Sequence, residues 1–181
     1  MKPNFIYKFF LLGKEYLLVI EYADGGTLRN YLENKFSLLN WEDRYRLAFQ
    51  LSGAIECLHE NDIVHNDLHS NNVLIHQNSI KLADFGLNRR IKNINQTLID
   101  TSTTPYIDPD VDTSGEDKQI ERLKKGNVYS VGVLFWELSS GKKPFADREY
   151  DSLLTMEIAQ GLRESIAEGT PKEYSNLYAS K

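Results

Sequence analysis

Three oxygen-bearing side chains, Asp67, Asn72 and Asp84, stand at spacings that can assemble a cation site beside a proton acceptor. Asp67 and Asn72 lie in His65-Asn66-Asp67-Leu68-His69-Ser70-Asn71-Asn72, a polar, aperiodic stretch just ahead of a short apolar run, Val73–Ile75. A second run, Ile80–Leu82, leads into Asp84-Phe85-Gly86. Two short strands joined through His76-Gln77-Asn78-Ser79 return the chain so that Asp84 comes beside Asn72. A carboxylate and an amide oxygen at one point suit Mg²⁺, which takes hard oxygen ligands and shares its sphere with phosphates. Asp67 is then left to orient a hydroxyl or accept its proton. Taken singly, each residue is explained as well by a turn that bonds its own backbone. The whole set in this order is not.

The elements that must hold these groups follow from periodicity. Asn40 to His59 reads as the clearest helix, with Leu47, Leu51, Ala54, Ile55 and Leu58 recurring on one face. Asn40 suits its N-cap, and Glu42 and Asp43 fall in the first turn, where the helix dipole favours acids. Phe5–Phe10 and Tyr16–Tyr22 read as a strand hairpin, closed off by a turn at Asp24-Gly25-Gly26. Residues 88–126 are polar and poorly periodic, which predicts a long functional loop. Val128–Leu138 is apolar around most of its circumference, so the pattern predicts a helix buried on most sides and stopped by Gly141. Ser152–Arg163 is amphipathic, and a last helix is expected after Pro171.

Composition sets the outer limits. The chain has 181 residues, 41% hydrophobic and 26% charged, as in an ordinary globular domain. Its net charge of -5 argues against nucleic acid or an anionic membrane as main partner. No apolar run approaches the ~20 residues of a spanning helix. Cys57 is the single cysteine, expected as a small buried hydrophobe. Arg89-Arg90 and Lys124-Lys125 are expected as solvated surface. A cytoplasmic location fits these features.

The loop spacing resembles the protein-kinase catalytic loop, H-R-D-L-x-x-x-N, followed by D-F-G; this motif pair is a general kinase signature. The likeness extends over nearly the whole chain, from about Lys2 to Tyr178. It includes Leu17-Leu18-Val19-Ile20-Glu21-Tyr22-Ala23 as strand and hinge, with Ile20 as gatekeeper. Tyr106-Ile107-Asp108-Pro109-Asp110 stands at the end of the activation segment, and Asn127-Val128-Tyr129-Ser130-Val131-Gly132-Val133 opens the central helix. The chain is therefore similar to protein kinases, nearest the tyrosine-kinase-like group. The resemblance implies an α+β, protein-kinase-like fold: residues 1–20 as two strands of the N-lobe, 21–26 as hinge, and 27–181 as a mainly α C-lobe. It implies ATP and Mg²⁺ as cofactors and a protein substrate, with an activating or scaffold protein as a further partner. Asp67 becomes the catalytic base, with Asn72 beside it; Asn72 and Asp84 hold the metal. The backbones of Glu21 and Ala23 pair with adenine, and Leu74 packs beneath it. His69 and Thr103 face the substrate, and His65 and Phe85 form a structural spine.

Several positions depart from that pattern. The Gly-rich loop, the strand lysine and its glutamate partner are not in the chain, and the late C-lobe helices stop short, so a truncated domain is expected. Asn66 stands where many kinases carry an arginine that pairs with an activation-loop phosphate; asparagine cannot make that charge-assisted bond. Asn127 replaces an aspartate that accepts backbone N–H bonds, and Asp108 and Asp110 replace Ala and Glu of A-P-E. Thr103 favours Ser/Thr acceptors, whereas His69 takes the place of the Ser/Thr-kinase lysine. Two readings follow: phosphoryl transfer from Mg-ATP to a protein hydroxyl, or a catalytically inactive pseudokinase or scaffold.

Overall fold

The computed structural model describes residues 8–12, 15–19, 22–84, 101–110 and 119–179. Strands β1 (Lys8–Leu12) and β2 (Glu15–Val19) form an antiparallel ribbon, with Lys8 opposite Val19 and Leu12 opposite Glu15. Helix α1 (Leu28–Lys35) follows, and Thr27 caps it by accepting the Asn30 N–H. Helix α2 spans Trp41–Glu60; Asn40 Oδ1 accepts the Asp43 N–H at 2.9 Å, the cap its position in the sequence predicts. Strands β3 (Val73–His76) and β4 (Ser79–Leu82) pair antiparallel, Val73 opposite Leu82. Gln77 and Asn78 make the two-residue turn with φ of 48° and 57°, the left-handed pair of a type I′ hairpin.

The described remainder is a 3₁₀ turn at Thr101–Tyr106, helix α3 (Gln119–Ser140), helix α4 (Ser152–Ala159) and a short α5 (Lys172–Ser175). Helix α3 begins well before Val128, inside the stretch expected as loop. Its first turns carry Glu121, Arg122, Lys124 and Lys125, which form helix readily, with Ile120 and Leu123 too few to establish an apolar period. Val128 is exposed; the buried residues of the helix are Asn127, Ser130 and the run from Leu134 to Ser139. Helix α4 ends four residues short of Arg163, because Gly161 turns the chain at φ 102°. Cys57 is half-buried rather than buried, since it lies beside the Ile55–Leu58 stripe and not on it.

One core joins these elements. Leu47, Leu51, Ile55 and Leu58 of α2 meet Leu28 and Leu32 of α1, Val73 and Ile75 of β3, Leu82 of β4, and Leu134 and Leu138 of α3. Each fully buried aliphatic side chain contributes about 1.5–3 kcal/mol. Two glycines are required by contact. A Cβ on Gly25 would lie 2.8 Å from Ile75 Cβ, and one on Gly141 would lie 2.5 Å from the Phe36 ring. Gly141 also sits at φ 72° and donates to the Glu137 carbonyl, closing α3 as expected.

Candidate active site

The end of α2 delivers the loop. Asp62, at φ 53°, reverses the chain after Glu60, and Lys124 of α3 bonds its carboxylate at 2.8 Å. Val64 and His65 then turn inward, His65 to complete burial. The His65 ring has a fixed tautomer. Its Nδ1 accepts the Asp67 N–H at 3.3 Å, so the proton is on Nε2, which donates to the Ala83 carbonyl at 2.9 Å. Burial holds the imidazole below its ordinary pKa, although the Ala83 carbonyl and Asp67 pull the other way. A neutral His65 thus ties the backbone of Asp67 to the residue before Asp84.

Asn127 of α3 clamps the same residue. Its Oδ1 accepts the His65 N–H at 3.0 Å and its Nδ2 donates to the His65 carbonyl at 2.7 Å. His59 Nε2 also approaches Oδ1, at 3.2 Å. The sequence shows Asn127 as an acceptor; its second role, as a donor, becomes visible only with the fold.

Asn72 joins the two halves of the site. Its Nδ2 donates to the Asp67 carbonyl at 2.8 Å, and its own carbonyl accepts the Ala83 N–H at 2.9 Å. With the amide nitrogen committed, Oδ1 is the end left to meet a cation. Asp84 follows Ala83 directly, exposed and held at φ 58°, a conformation uncommon outside glycine and concentrated at functional sites. The donor set is one amide oxygen and one carboxylate, hard ligands that fit Mg²⁺ rather than a soft metal.

The hinge turn is docked onto the same hairpin. Gly25 donates to Ile75, and Ile75 donates to Gly26, both at 2.9 Å, while Thr27 bridges Leu74. Asp24 accepts the Gln77 N–H at 2.9 Å, and this bond chiefly holds its carboxyl below the usual range. Ala23 and half-buried Leu74 therefore belong to one rigid corner. Glu21 and Phe85 lie outside the described residues.

On the other side of the loop, Asp67 and Thr103 line one cavity of about 130 Å³ with Asn66, Tyr106, Asp108 and Asn127. His69 Nδ1 accepts the Asn71 N–H at 3.3 Å, and its Nε2 stands 3.8 Å from Asp67 Oδ2. The expected catalytic, metal and substrate-side residues within the described chain thus gather around one loop.

Two further residues escape a reading of the sequence. Glu137 is fully buried in α3, bonded by Arg29 Nη1 and by the Tyr106 hydroxyl, each at 2.7 Å. Burial pushes its carboxyl up to about 7, against the pull of Tyr106 and Arg29. Burial and the neighbouring Glu137 also raise the Tyr106 phenol far above its ordinary range. An acid between Trp136 and Leu138 is a visible signal, because a buried charge needs a partner. That partner, Arg29, is too remote in the chain to be inferred.

An α+β fold thus carries a carboxylate, an amide and a second carboxylate around a buried histidine. The family model for the protein kinase domain matches residues 5–179. The chain is 32% identical over 163 residues to R831 of Acanthamoeba polyphaga mimivirus, named for a serine/threonine-protein kinase/receptor; the match covers 88% of this chain and 10% of that protein. It is 29% identical over 164 residues to the serine/threonine-protein kinase STY46 of Arabidopsis thaliana, covering 88% and 27%. It is 34% identical over 145 residues to the receptor protein kinase WSS1 of Oryza sativa subsp. japonica, covering 75% and 15%. The chain belongs to the protein kinase domain family. It spans between a tenth and about a quarter of the length of these relatives. Among the described residues no helix is long and apolar enough to cross a membrane.

Proposed function

We propose that this chain carries the acceptor and metal side of a protein kinase, transferring the γ-phosphoryl group of Mg-ATP to a serine or threonine hydroxyl of a protein. The observation that carries the reading is Asn72, whose side chain bonds the Asp67 carbonyl while its own carbonyl takes the Ala83 N–H beside Asp84. One residue thereby sets the distance between base and metal ligand. Bound Mg-ATP supplies the electrophilic phosphorus and the charge neutralisation of its own phosphates. Asp67 orients the acceptor hydroxyl and takes its proton as the new O–P bond forms and ADP departs. Asn72 Oδ1 and Asp84 hold the cation, Ala23 and Glu21 meet the adenine edge through their backbones, and Leu74 packs beneath it. Thr103 and His69 flank the acceptor, and His65 with Phe85 supports the loop from behind.

In this reading residues 1–20 are strands of the smaller lobe, 21–26 the hinge and 27–181 the larger lobe. Thr103 beside Asp67 and the names of the relatives favour Ser/Thr acceptors, and the tyrosine-kinase-like group is the nearest branch. The use of ATP as phosphoryl donor supports a cytoplasmic location. A second reading, a nucleotide-binding module without transfer, is favoured by Asn66 and Asn127, where two charged residues of the family are neutral. Phosphate transfer from labelled ATP to Ser/Thr peptides, with and without Mg²⁺, separates the two. Mg²⁺-dependent transfer that falls at least about a hundredfold in Asp67→Asn supports the kinase, given what a positioned base contributes. Calorimetric Mg-ATP binding with no transfer supports the module.

A further inference from the structure

Between the start of α2, the end of α3 and residues 164–169 lies a cavity of about 850 Å³, which shares no residue with the one beside Asp67. Its size falls in the ~300–1,000 Å³ range of small-molecule sites. Phe36, Trp41 and Trp136 give it aromatic walls, and Arg44 stands among them. The guanidinium carbon of Arg44 is 4.1 Å from the centre of the Phe36 ring and 4.7 Å from that of Trp41. Nη1 donates to the Ser139 carbonyl at 3.3 Å and Nη2 to the Leu39 carbonyl at 3.2 Å. A guanidinium carries five N–H donors, so most of its donor capacity is unused by these two bonds. Nε is buried and has no acceptor. Among the described residues no carboxylate pairs with the group. Burial holds its pKa below the ordinary arginine range, the mark of a cation without a counter-ion.

A strut between α2 and the end of α3 would explain the two bonds to carbonyls. It does not explain a cation set between two rings at the wall of a cavity, with an unsatisfied N–H behind it. The rim decides the kind of anion. Asp147, Glu164 and Glu168 line the cavity with Lys142 and Lys143, so the surroundings of Arg44 carry both signs and repel a polyanion. A single planar carboxylate matches the guanidinium fork, and an apolar body behind it matches the rings. We propose that this cavity binds a small organic monoanion, an aromatic carboxylate, with its carboxylate on Arg44 and its ring against Trp41 and Trp136. The site is separate from the phosphoryl-transfer groups, so the proposal does not rest on the kinase reading.

The chain has two tryptophans, and both line this cavity, so tryptophan fluorescence of the full chain reports on it directly. Phenylacetate is the probe, and phenylacetamide is its neutral counterpart of the same shape. Phenylacetate should change the emission saturably, with a Kd of about 1 mM or tighter, and phenylacetamide should bind about tenfold more weakly, as the loss of a hydrogen bond between charged groups requires. Arg44→Gln should lower phenylacetate affinity about tenfold and leave phenylacetamide within about twofold, abolishing the preference for the acid. Arg46→Gln is the control for net charge, because Arg46 pairs with Asp43 and lies outside the cavity; it should bind phenylacetate as wild type does. A wild-type chain with no saturable response overturns the proposal, and so does equal affinity for acid and amide. Unchanged phenylacetate affinity in Arg44→Gln overturns it as well. If Arg44→Gln does not fold, the comparison of acid and amide on the wild-type chain decides alone.

Discussion

Asn127 and His65 exchange two hydrogen bonds, the amide oxygen taking the His65 N–H at 3.0 Å and the amide nitrogen reaching the His65 carbonyl at 2.7 Å. Both residues are buried, so no water replaces either partner. An amide serves a donor and an acceptor of one residue at once, which an ionised carboxylate cannot. The neutral side chain at this position is therefore a matched anchor for this loop. The backbone it holds is the one that places Asp67.

Removing that anchor has a measurable cost. In Asn127→Ala the buried His65 N–H and carbonyl each lose the bond that Asn127 makes to them, at about 1–3 kcal/mol each. Denaturant unfolding should show a loss of about 2–6 kcal/mol, with the m-value unchanged. Asn127→Asp keeps the acceptor but sets a carboxylate against the His65 carbonyl, so it should also be less stable than wild type at neutral pH. A wild-type midpoint for Asn127→Ala would show that the two bonds add nothing.

The buried acid makes stability depend on pH. Glu137 is raised from an ordinary 4.5 to about 7, so the folded chain holds that proton more tightly than the unfolded chain. Its contribution is complete below about pH 4.5 and is lost as pH rises through about 7, a swing of about 3 kcal/mol. His65 acts in the opposite sense. Its depressed pKa keeps the ring neutral in the fold, so stability is lost as pH falls below its ordinary 6.5. Gln cannot titrate, so Glu137→Gln should remove the falling component and leave a profile that rises with pH from 5 to 8. Identical pH slopes for wild type and Glu137→Gln would refute the assignment.

Arg29 tests the same pair from its other end. Arg29→Met leaves Glu137 with Tyr106 and Ser70 as its close partners and removes a charge that pulls its pKa down. The carboxyl should then stay protonated across neutral pH. Breaking a buried pair by removing one member typically costs about 3–5 kcal/mol. The double variant Arg29→Met, Glu137→Leu should recover much of that loss, because it leaves no buried carboxyl short of a partner. Thermal unfolding of the two variants makes the comparison, and equal losses would mean that the pair is not coupled.

How much of this was legible depends on whether the signal was local. Asn40, the Leu47–Leu58 stripe and Gly141 mark helix ends and faces by residue type alone, and they are found where expected. Asp67, Asn72 and Asp84 were readable because their chemistry and spacing are close in the chain. The start of α3 was not, since Gln119–Gly126 has Ile120 and Leu123 as its apolar residues, too few to establish a period. Arg29 was not, because what buries it is Glu137 on a helix from the other end of the chain. Proximity in sequence reveals a loop; it does not reveal the charge pair that supports the loop.

The last prediction concerns the corner between hinge and hairpin. Gly25 lies so close to β3 that a Cβ would stand 2.8 Å from Ile75 Cβ and Cγ2 and 2.9 Å from the Ile75 carbonyl. Its N–H also donates to that carbonyl, so the segment cannot back away without losing the bond. In Gly25→Ala the turn must lift from Ile75, and Ala23 must move with it, since Gly26 donates to the Ala23 carbonyl at 3.2 Å. Ala23 supplies backbone to the proposed adenine edge, whereas Asp67 lies in the loop that precedes β3. The substitution should weaken Mg-ATP binding about tenfold or more while leaving exchange of the Asp67–Asn72 amides near wild type. Gly26→Ala is the control, with only Asn30 Cβ near, at 3.9 Å, but with φ at 68°. It should cost about 1 kcal/mol in stability from the strained φ alone and weaken nucleotide binding less. Equal affinities for Mg-ATP in wild type and Gly25→Ala would remove the Ala23–Gly26 segment from the nucleotide site.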